Sequence, residues 1–264
     1  MFYFCLLTLI FFGYRLQEFS YFNPPEVQFH GRFNAFNRYD IVNVIKKQLT
    51  NGDWTVLSKG CFDMILRQGN HMPFYAQFVW QMCLHEIQTE KTLEMWFKID
   101  GRILRFSLLE FACVTGLNCE INGLDLGPPE KVSVKSFLGV SPCSVDQLEA
   151  IFLKEPKDSP KKLTMAKLLV LEMVLFPRRT NKYRNVREEY VSLACDLERF
   201  ESHCWGRRVY EATIDSLRKV ARANREERAS NRPGFNLSGY PLGFQVCSFP
   251  SNSTYILDTL LTHL

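Results

Sequence analysis

The chain has 264 residues, 46% hydrophobic and 23% charged, enough for one large domain or two small ones with a proper core. A formal net charge of +4 and a pI near 8.5 fall short of the pI above about 9 that marks basic nucleic-acid domains, so charge alone assigns no such partner. Nine cysteines without a CxxC pair exclude a disulfide framework and a zinc ribbon, and they fit free thiols in a reducing compartment.

The first residues, "MFYFCLLTLIFFGYR", carry an apolar run from Phe2 to Phe12, shorter than the roughly 18–20 residues that cross a bilayer. No positive charge precedes the run and no small-x-small site follows it, so a signal peptide fits poorly. Residues 1–24 read as an apolar extension that forms a buried strand or helix or stems from an upstream start codon, with a signal or anchor as the alternative. "FNPPEVQFHGRFNAF" is an extended entry segment, because Pro24 and Pro25 forbid helix.

"RYDIVNVIKKQLT" sets Ile41, Val44, Ile45 and Leu49 at helical spacing, and "NGD" is expected to end it. "VLSKGCFDMILRQG" reads as a second short helix with Phe62, Ile65 and Leu66 inward. "PFYAQFVWQMCLHEIQT" reads as a third, with Phe74, Phe78, Met82 and His85 along one stripe.

Next comes the most ordered passage, "EMWFKIDGRILRFSLLEFACVTGLNCE". "MWFKI" and "RILRF" flank Asp100-Gly101, a dipeptide suited to a type I′ hairpin turn. That register puts Met95, Phe97 and Ile99 on one face with Leu104 and Phe106, and sets Trp96 opposite Arg105 as a cation–π pair. Ser107 is then an N-cap and Glu110 completes a capping box. Phe106 staples to Phe111, and Gly116 with Leu117 forms a Schellman-like stop.

Residues 122–142, dense in Gly and Pro, read as a connector. "SVDQLEAIFLK" opens a helix with Ser144 and Gln147 at capping-box spacing. "SPKKLTMAKLLVLEMVLFP" is the strongest helix, with Leu163, Ala166, Leu169, Val170, Met173 and Val174 inward until Pro177 stops it. "RRTNKYRNVRE" is a charged loop. Two helices follow around "ESHCWG", the second keeping Val209, Tyr210, Ile214, Leu217 and Val220 in period, and "GYPLGFQVCSFPSNS" reads as loop. The sum is mostly α, or α+β with a helical domain, one small β-hairpin and a capped helix after it.

No catalytic, metal or phosphate-loop pattern stands in the chain, and no cofactor is expected. Ala112, Gly116 and Leu117 mimic the first helix and turn of a helix-turn-helix, but "NCEINGLDLGPP" does not supply a recognition helix. His203 beside Cys204 suggests a thiol nucleophile; sequence neighbours do not normally form that pair, and "HCWG" reads better as a corner with Trp205 buried. The basic residues are the remaining hint. Arg178, Arg179, Lys182, Arg184 and Arg187 crowd one loop, and Arg207, Arg208, Arg218, Lys219, Arg222, Arg225 and Arg228 follow on a helix. If loop and helix lie side by side they can hold phosphates, although interleaved glutamates also fit a solvated helix face.

The string from Glu94 to Glu120, the later "YVSLACDLERFESHCWGRRVYEATIDSL" and "SGYPLGFQV" together resemble a plant-specific domain of unknown function, over about Pro25 to Phe249. That family is common in transposon-derived plant genes, often upstream of a SUMO-protease-like cysteine peptidase domain. The "FSLLEFACVTGL" portion is also similar to the plant mobile domain, a nuclear family. The signature positions are Trp96, Phe97, Gly101, Arg105, Phe106, Ser107, Glu110, Phe111, Gly116, Leu117, Trp205 and Gly206. The resemblance implies a single domain over 25–250 with a diverged tail at 251–264, and a non-enzymatic interaction module of mobile-element origin. A protein partner is the first expectation. The alternatives are a nucleic-acid-associated nuclear protein using residues 178–228, or a remnant of a SUMO-protease-like protein that lacks its peptidase domain. The expected compartment is nuclear or cytoplasmic, with a membrane contact disfavoured.

Overall fold

A computed structural model describes residues 20–21, 32–68, 73–99, 102–120, 129–178, 185–226 and 234–248. The expected class holds: helices dominate, with a small amount of sheet. Among these residues the strands are β1 (Arg32–Ala35), β2 (Glu86–Ile87), β3 (Met95–Ile99), β4 (Arg102–Phe106) and β5 (Gly234–Leu237). The first helices are α1 (Asp40–Gln48), α2 (Asn51–Lys59), α3 (Asp63–Gln68), α4 (Ala76–Leu84) and α5 (Leu108–Thr115). Then come α6 (Val134–Leu138), α7 (Val145–Lys154) and α8 (Lys162–Leu169), which runs into a π-helical segment, Val170–Leu175. The last are α9 (Glu188–Cys195), α10 (Leu197–Ser202), α11 (Trp205–Glu226) and α12 (Pro241–Ser248). No described helix is long and apolar enough to cross a membrane.

The hairpin has the anticipated register, Met95 to Phe106, Trp96 to Arg105 and Phe97 to Leu104. Its turn residues, Asp100 and Gly101, lie outside the described residues. The inner face lies on α5, α11 and α12: Phe97 meets Phe244 at 5.6 Å between ring centres, and Phe106 meets Phe244 at 4.9 Å and Tyr210 at 5.3 Å. Ser107 caps α5 by accepting from the Leu109 N–H, and Glu110 reaches back to the Ser107 N–H at 2.8 Å. Phe106 and Phe111 staple the entry edge-to-face at 6.2 Å. Gly116 has φ +65° and donates to Ala112 O at 2.8 Å, which is the simpler left-handed stop. Leu117 N–H turns to Thr115 Oγ1, so the expected Schellman bond does not form.

Several element readings need correcting. "NGD" opens α2 instead of ending α1, because the Thr50 hydroxyl accepts from the Asp53 N–H and caps a new helix. The helix expected over 56–69 divides at Gly60, whose backbone lies against the Glu201 carboxylate. His85 is the cap of α4, and Glu86–Ile87 form a third strand beside β3, so the hairpin is part of a three-stranded antiparallel sheet. The 122–142 connector contains α6, capped by Ser133 and closed by Gly139 at φ +78°. The "EEYVSLACDLERF" helix breaks where Asp196 caps α10. The tail read as loop is α12, with Pro241 at the first helical position, where its missing N–H costs nothing. The end of the entry segment is extended as expected, as β1, and it pairs in parallel with β5. Val220 of the α11 stripe has a side chain outside the description.

From Met165 onward α8 and its π-helical continuation are buried on all sides, not along one stripe, and Leu163 and Thr164 are partly exposed. Three charged residues are enclosed with the apolar ones: Lys162, Lys167 and Glu172. The Lys162 ammonium donates to the carbonyls of Phe152 and Glu155, satisfying the C-terminal end of α7. Lys167 Nζ sits 4.6 Å from the centre of the Phe200 ring. Burial lowers the ammonium pKa of both lysines, most directly by removing water from the charge.

Candidate functional site

The strings that carry the resemblance are joined in space. Gly206 N–H donates to Asn118 O at 2.7 Å, and Asn118 Nδ2 donates to Ser202 O at 2.9 Å. A Cβ at Gly206 would lie on Cys119 Sγ, 2.8 Å from Asn118 O and 3.0 Å from Leu117 Cβ. The Trp-Gly corner is therefore pressed against the end of the Glu94–Glu120 string. Trp205 is fully buried, donates from Nε1 to Phe200 O at 2.9 Å and stands edge-on to Tyr190 at 5.6 Å. The third string docks on α11: Gly239 has φ +75°, and Tyr240 N–H donates to Thr213 Oγ1 at 2.8 Å. Gly243 lets α12 approach Phe111.

Trp96 faces Arg105 as expected, with the guanidinium carbon 6.0 Å from the ring. The stronger partner of Arg105 is Glu110, at 3.1 Å from Nε and 2.6 Å from a terminal nitrogen. That bond raises the Arg105 pKa and fixes one carboxylate in both a capping box and an ion pair. Trp96 Nε1 donates to Glu94 at 2.9 Å.

The basic cluster divides. Arg179, Lys182 and Arg184 lie outside the described residues. Arg178 and Arg187, on either side of them, both turn to Glu172, whose side chain is fully enclosed. Arg178 donates to its Oε2 at 3.0 Å and to Asn185 O at 2.7 Å. Arg187 donates its backbone N–H to Oε1 at 3.1 Å and holds its guanidinium 3.7 Å from Oε2. A lone carboxylate inside an apolar run needs such partners, and that is the signal by which sequence could have assigned Glu172.

Loop and helix do come together at one point. The Arg187 guanidinium carbon lies 4.4 Å from the Tyr190 ring centre and its Nη1 donates to the Tyr190 hydroxyl, while Arg208 of α11 lies 5.4 Å from the same ring. Arg208 also pairs with Glu189 at 2.9 Å on the surface. Burial drives the Tyr190 pKa up to about 12 against the pull of the two arginines, so the phenol is neutral at physiological pH. Further along α11, Arg218 donates to the carbonyls of Lys91, Thr92 and Glu94 and serves as a clasp for the segment leading into β3.

His203 and Cys204 sit at the same corner. The His203 ring centre lies 4.3 Å from that of Trp205 with the planes tilted by 55°, its Nε2 is buried without a hydrogen-bond partner, and burial lowers its pKa. Burial raises the thiol pKa of Cys61, Cys83 and Cys247, and that of Cys119 to about 11, which keeps these sulfurs protonated. Among the described residues no three His, Cys, Asp or Glu side chains are grouped to hold a metal ion. After Gly116 the next described helix is α6.

No curated protein and no solved structure matches this chain. One family model does, over residues 83–216, a span that takes in the hairpin, its capped helix, the enclosed Glu172 and the Trp-Gly corner. With half of its length inside that match, the chain belongs to the family described as Domain of unknown function (DUF1985).

Proposed function

We propose that the chain is a non-catalytic interaction module of mobile-element origin, acting on a protein partner in the nucleus or cytoplasm, with residues 25–250 as one unit. The observation that carries this reading is the hairpin and α5. Among its described residues the unit commits inward side chains to cap, staple and core, while outward α5 presents Leu109, 64% exposed, and the segment just before β3 presents Leu93, 47% exposed. Apolar side chains shown to water beside a rigid frame are what a partner surface needs. The mobile-element origin and the compartment rest on the resemblance of the three strings. The test is affinity purification from plant nuclear extract, with and without nuclease, using the parent chain and Leu109→Asp. A partner retained after nuclease and lost with Leu109→Asp supports the reading; recovery of nothing above the control, or of nuclease-sensitive material only, refutes it.

A second reading, nucleic-acid association through the basic loop and helix, is favoured by one observation: Arg187 and Arg208 share the Tyr190 ring. Arg178 and Arg187 are unsuitable for testing it, because each also neutralises Glu172. The suitable variant combines Arg179→Ala, Arg184→Ala and Arg208→Ala, since the Glu189–Arg208 pair is exposed and worth only about 0–1 kcal/mol. Binding of a DNA duplex that weakens with salt and falls in this variant supports the reading; equal binding by both chains sinks it.

A further inference from the structure

The exposed edge of the sheet has a direction that can be worked out. Lys98 N–H donates to His85 O at 3.0 Å, so Lys98 and its alternate neighbour Trp96 turn their backbone groups toward β2. Met95, Phe97 and Ile99 then turn theirs toward β4, where they pair with Phe106, Leu104 and Arg102. The backbone N–H and C=O groups of Ile103 and Arg105 are left pointing out of the sheet. β4 is the last strand in the order β2-β3-β4, and among the described residues nothing bonds to those groups. The opposite edge is different: there Tyr21 bridges to Ile87 and Gln88 N–H donates to Ser20 O at 3.0 Å.

The open edge is also electrically one-sided. Arg105 is neutralised by Glu110, but Arg102, at the turn end of β4 on the face shared with Ile99 and Leu104, forms no ion pair among the described residues. An edge strand with free backbone groups is a template for one more strand, and its side chains decide which strand is accepted.

We propose that β4 is a docking edge for an extended acidic peptide of a partner protein, which adds as a fourth strand through the backbone groups of Ile103 and Arg105 and sets a carboxylate against Arg102. An apolar residue of that peptide lies beside Ile103 on the same face as Trp96. A second copy of this chain is the poorer occupant, since it brings two more arginines to an edge that already holds two. The proposal rests on the protein-partner reading above and adds where and by what chemistry the partner binds.

The experiment uses the full chain and three fluorescein-labelled probes: a nonapeptide alternating Glu and Val, its Lys and Val counterpart, and oligo(dT). Saturable anisotropy with the Glu peptide only, accompanied by slowed amide exchange at Ile103 and Arg105, is the expected result. Ile103→Pro removes an outward N–H without touching the β3–β4 ladder and should weaken binding by about tenfold or more at an unchanged melting temperature. Should that variant fail to fold, Arg102→Glu is the alternative, and it should reverse the preference toward the Lys peptide. Preference for oligo(dT) or for the Lys peptide by the parent chain, exchange protection elsewhere, or a dimer that Ile103→Pro dissociates would each overturn the edge proposal. Absence of Glu-peptide binding while the Leu109-dependent partner is still captured removes the edge alone. Loss of that captured partner removes the module reading itself.

Discussion

Replacing Gly206 by Ala tests the junction of the two signature strings. Gly206 is the second residue of α11, so helix propensity alone favours Ala by up to about 1 kcal/mol. The new Cβ meets three obstacles on the opposite segment: Cys119 Sγ, Asn118 O at 2.8 Å and Leu117 Cβ at 3.0 Å. The sulfur can rotate away. The carbonyl cannot, because it is backbone and accepts the Gly206 N–H at 2.7 Å. Parting the two segments costs roughly 1–3 kcal/mol of overpacking and puts at risk a hydrogen bond worth about 0.5–1.5 kcal/mol. The net expectation is a loss of about 1–3 kcal/mol, read as a lower midpoint in urea at unchanged slope with tryptophan fluorescence as the probe. In a Cys119→Ala background the same change should cost measurably less, since one of the three obstacles is gone. A Gly206→Ala protein as stable as the parent, or more so, would show that the strings do not touch and would refute the reasoning.

Three further expectations follow from the interior. Glu172→Ala should cost about 3–5 kcal/mol in equilibrium unfolding, because it strands the Arg178 and Arg187 guanidinium groups and an Arg187 N–H. Lys167→Met should be neutral or stabilising at pH 7. Burial depresses the Lys167 pKa, so the unfolded chain holds the extra proton, and parent stability should rise with pH from the depressed value toward 10.5 relative to the Met variant. A parent-minus-variant difference that is flat with pH would contradict this. Gly116→Val should lose about 2 kcal/mol or more, since φ is +65° and a Cβ would lie 2.6 Å from Met64 Sδ; an unshifted melting temperature would count against that geometry.

The hairpin and α5 were readable from sequence because each signal there is local: alternation, cap, staple and left-handed glycine all fall within a few residues of their partners. The parallel β1–β5 pair was not, since Phe33 and Phe235 find each other only through the intervening fold. Lys162, Lys167 and Glu172 mimic the polar side of an amphipathic helix, and periodicity cannot distinguish water from an enclosed carbonyl, ring or guanidinium. At the basic cluster, sequence located the cations but not their obligations. Arg178 and Arg187 belong first to Glu172, and only the fold brings Arg208 to the ring that Arg187 already covers.

The β1–β5 pairing also has a consequence for how the chain acquires its structure. Asn34 and Asn236 are 202 residues apart and share a side-chain hydrogen bond as well as a strand register. Contacts of such separation are slow to form, because loop closure is unfavourable until the intervening elements have condensed. During synthesis β1 must therefore wait, unpaired, until β5 has emerged. A fragment cut at the family-match boundaries, 83–216, lacks both strands as well as α12, whose Phe244 fills the inner face of the hairpin. Such a fragment should expose that face and aggregate, so the protein used in any of these assays needs β1, β5 and α12.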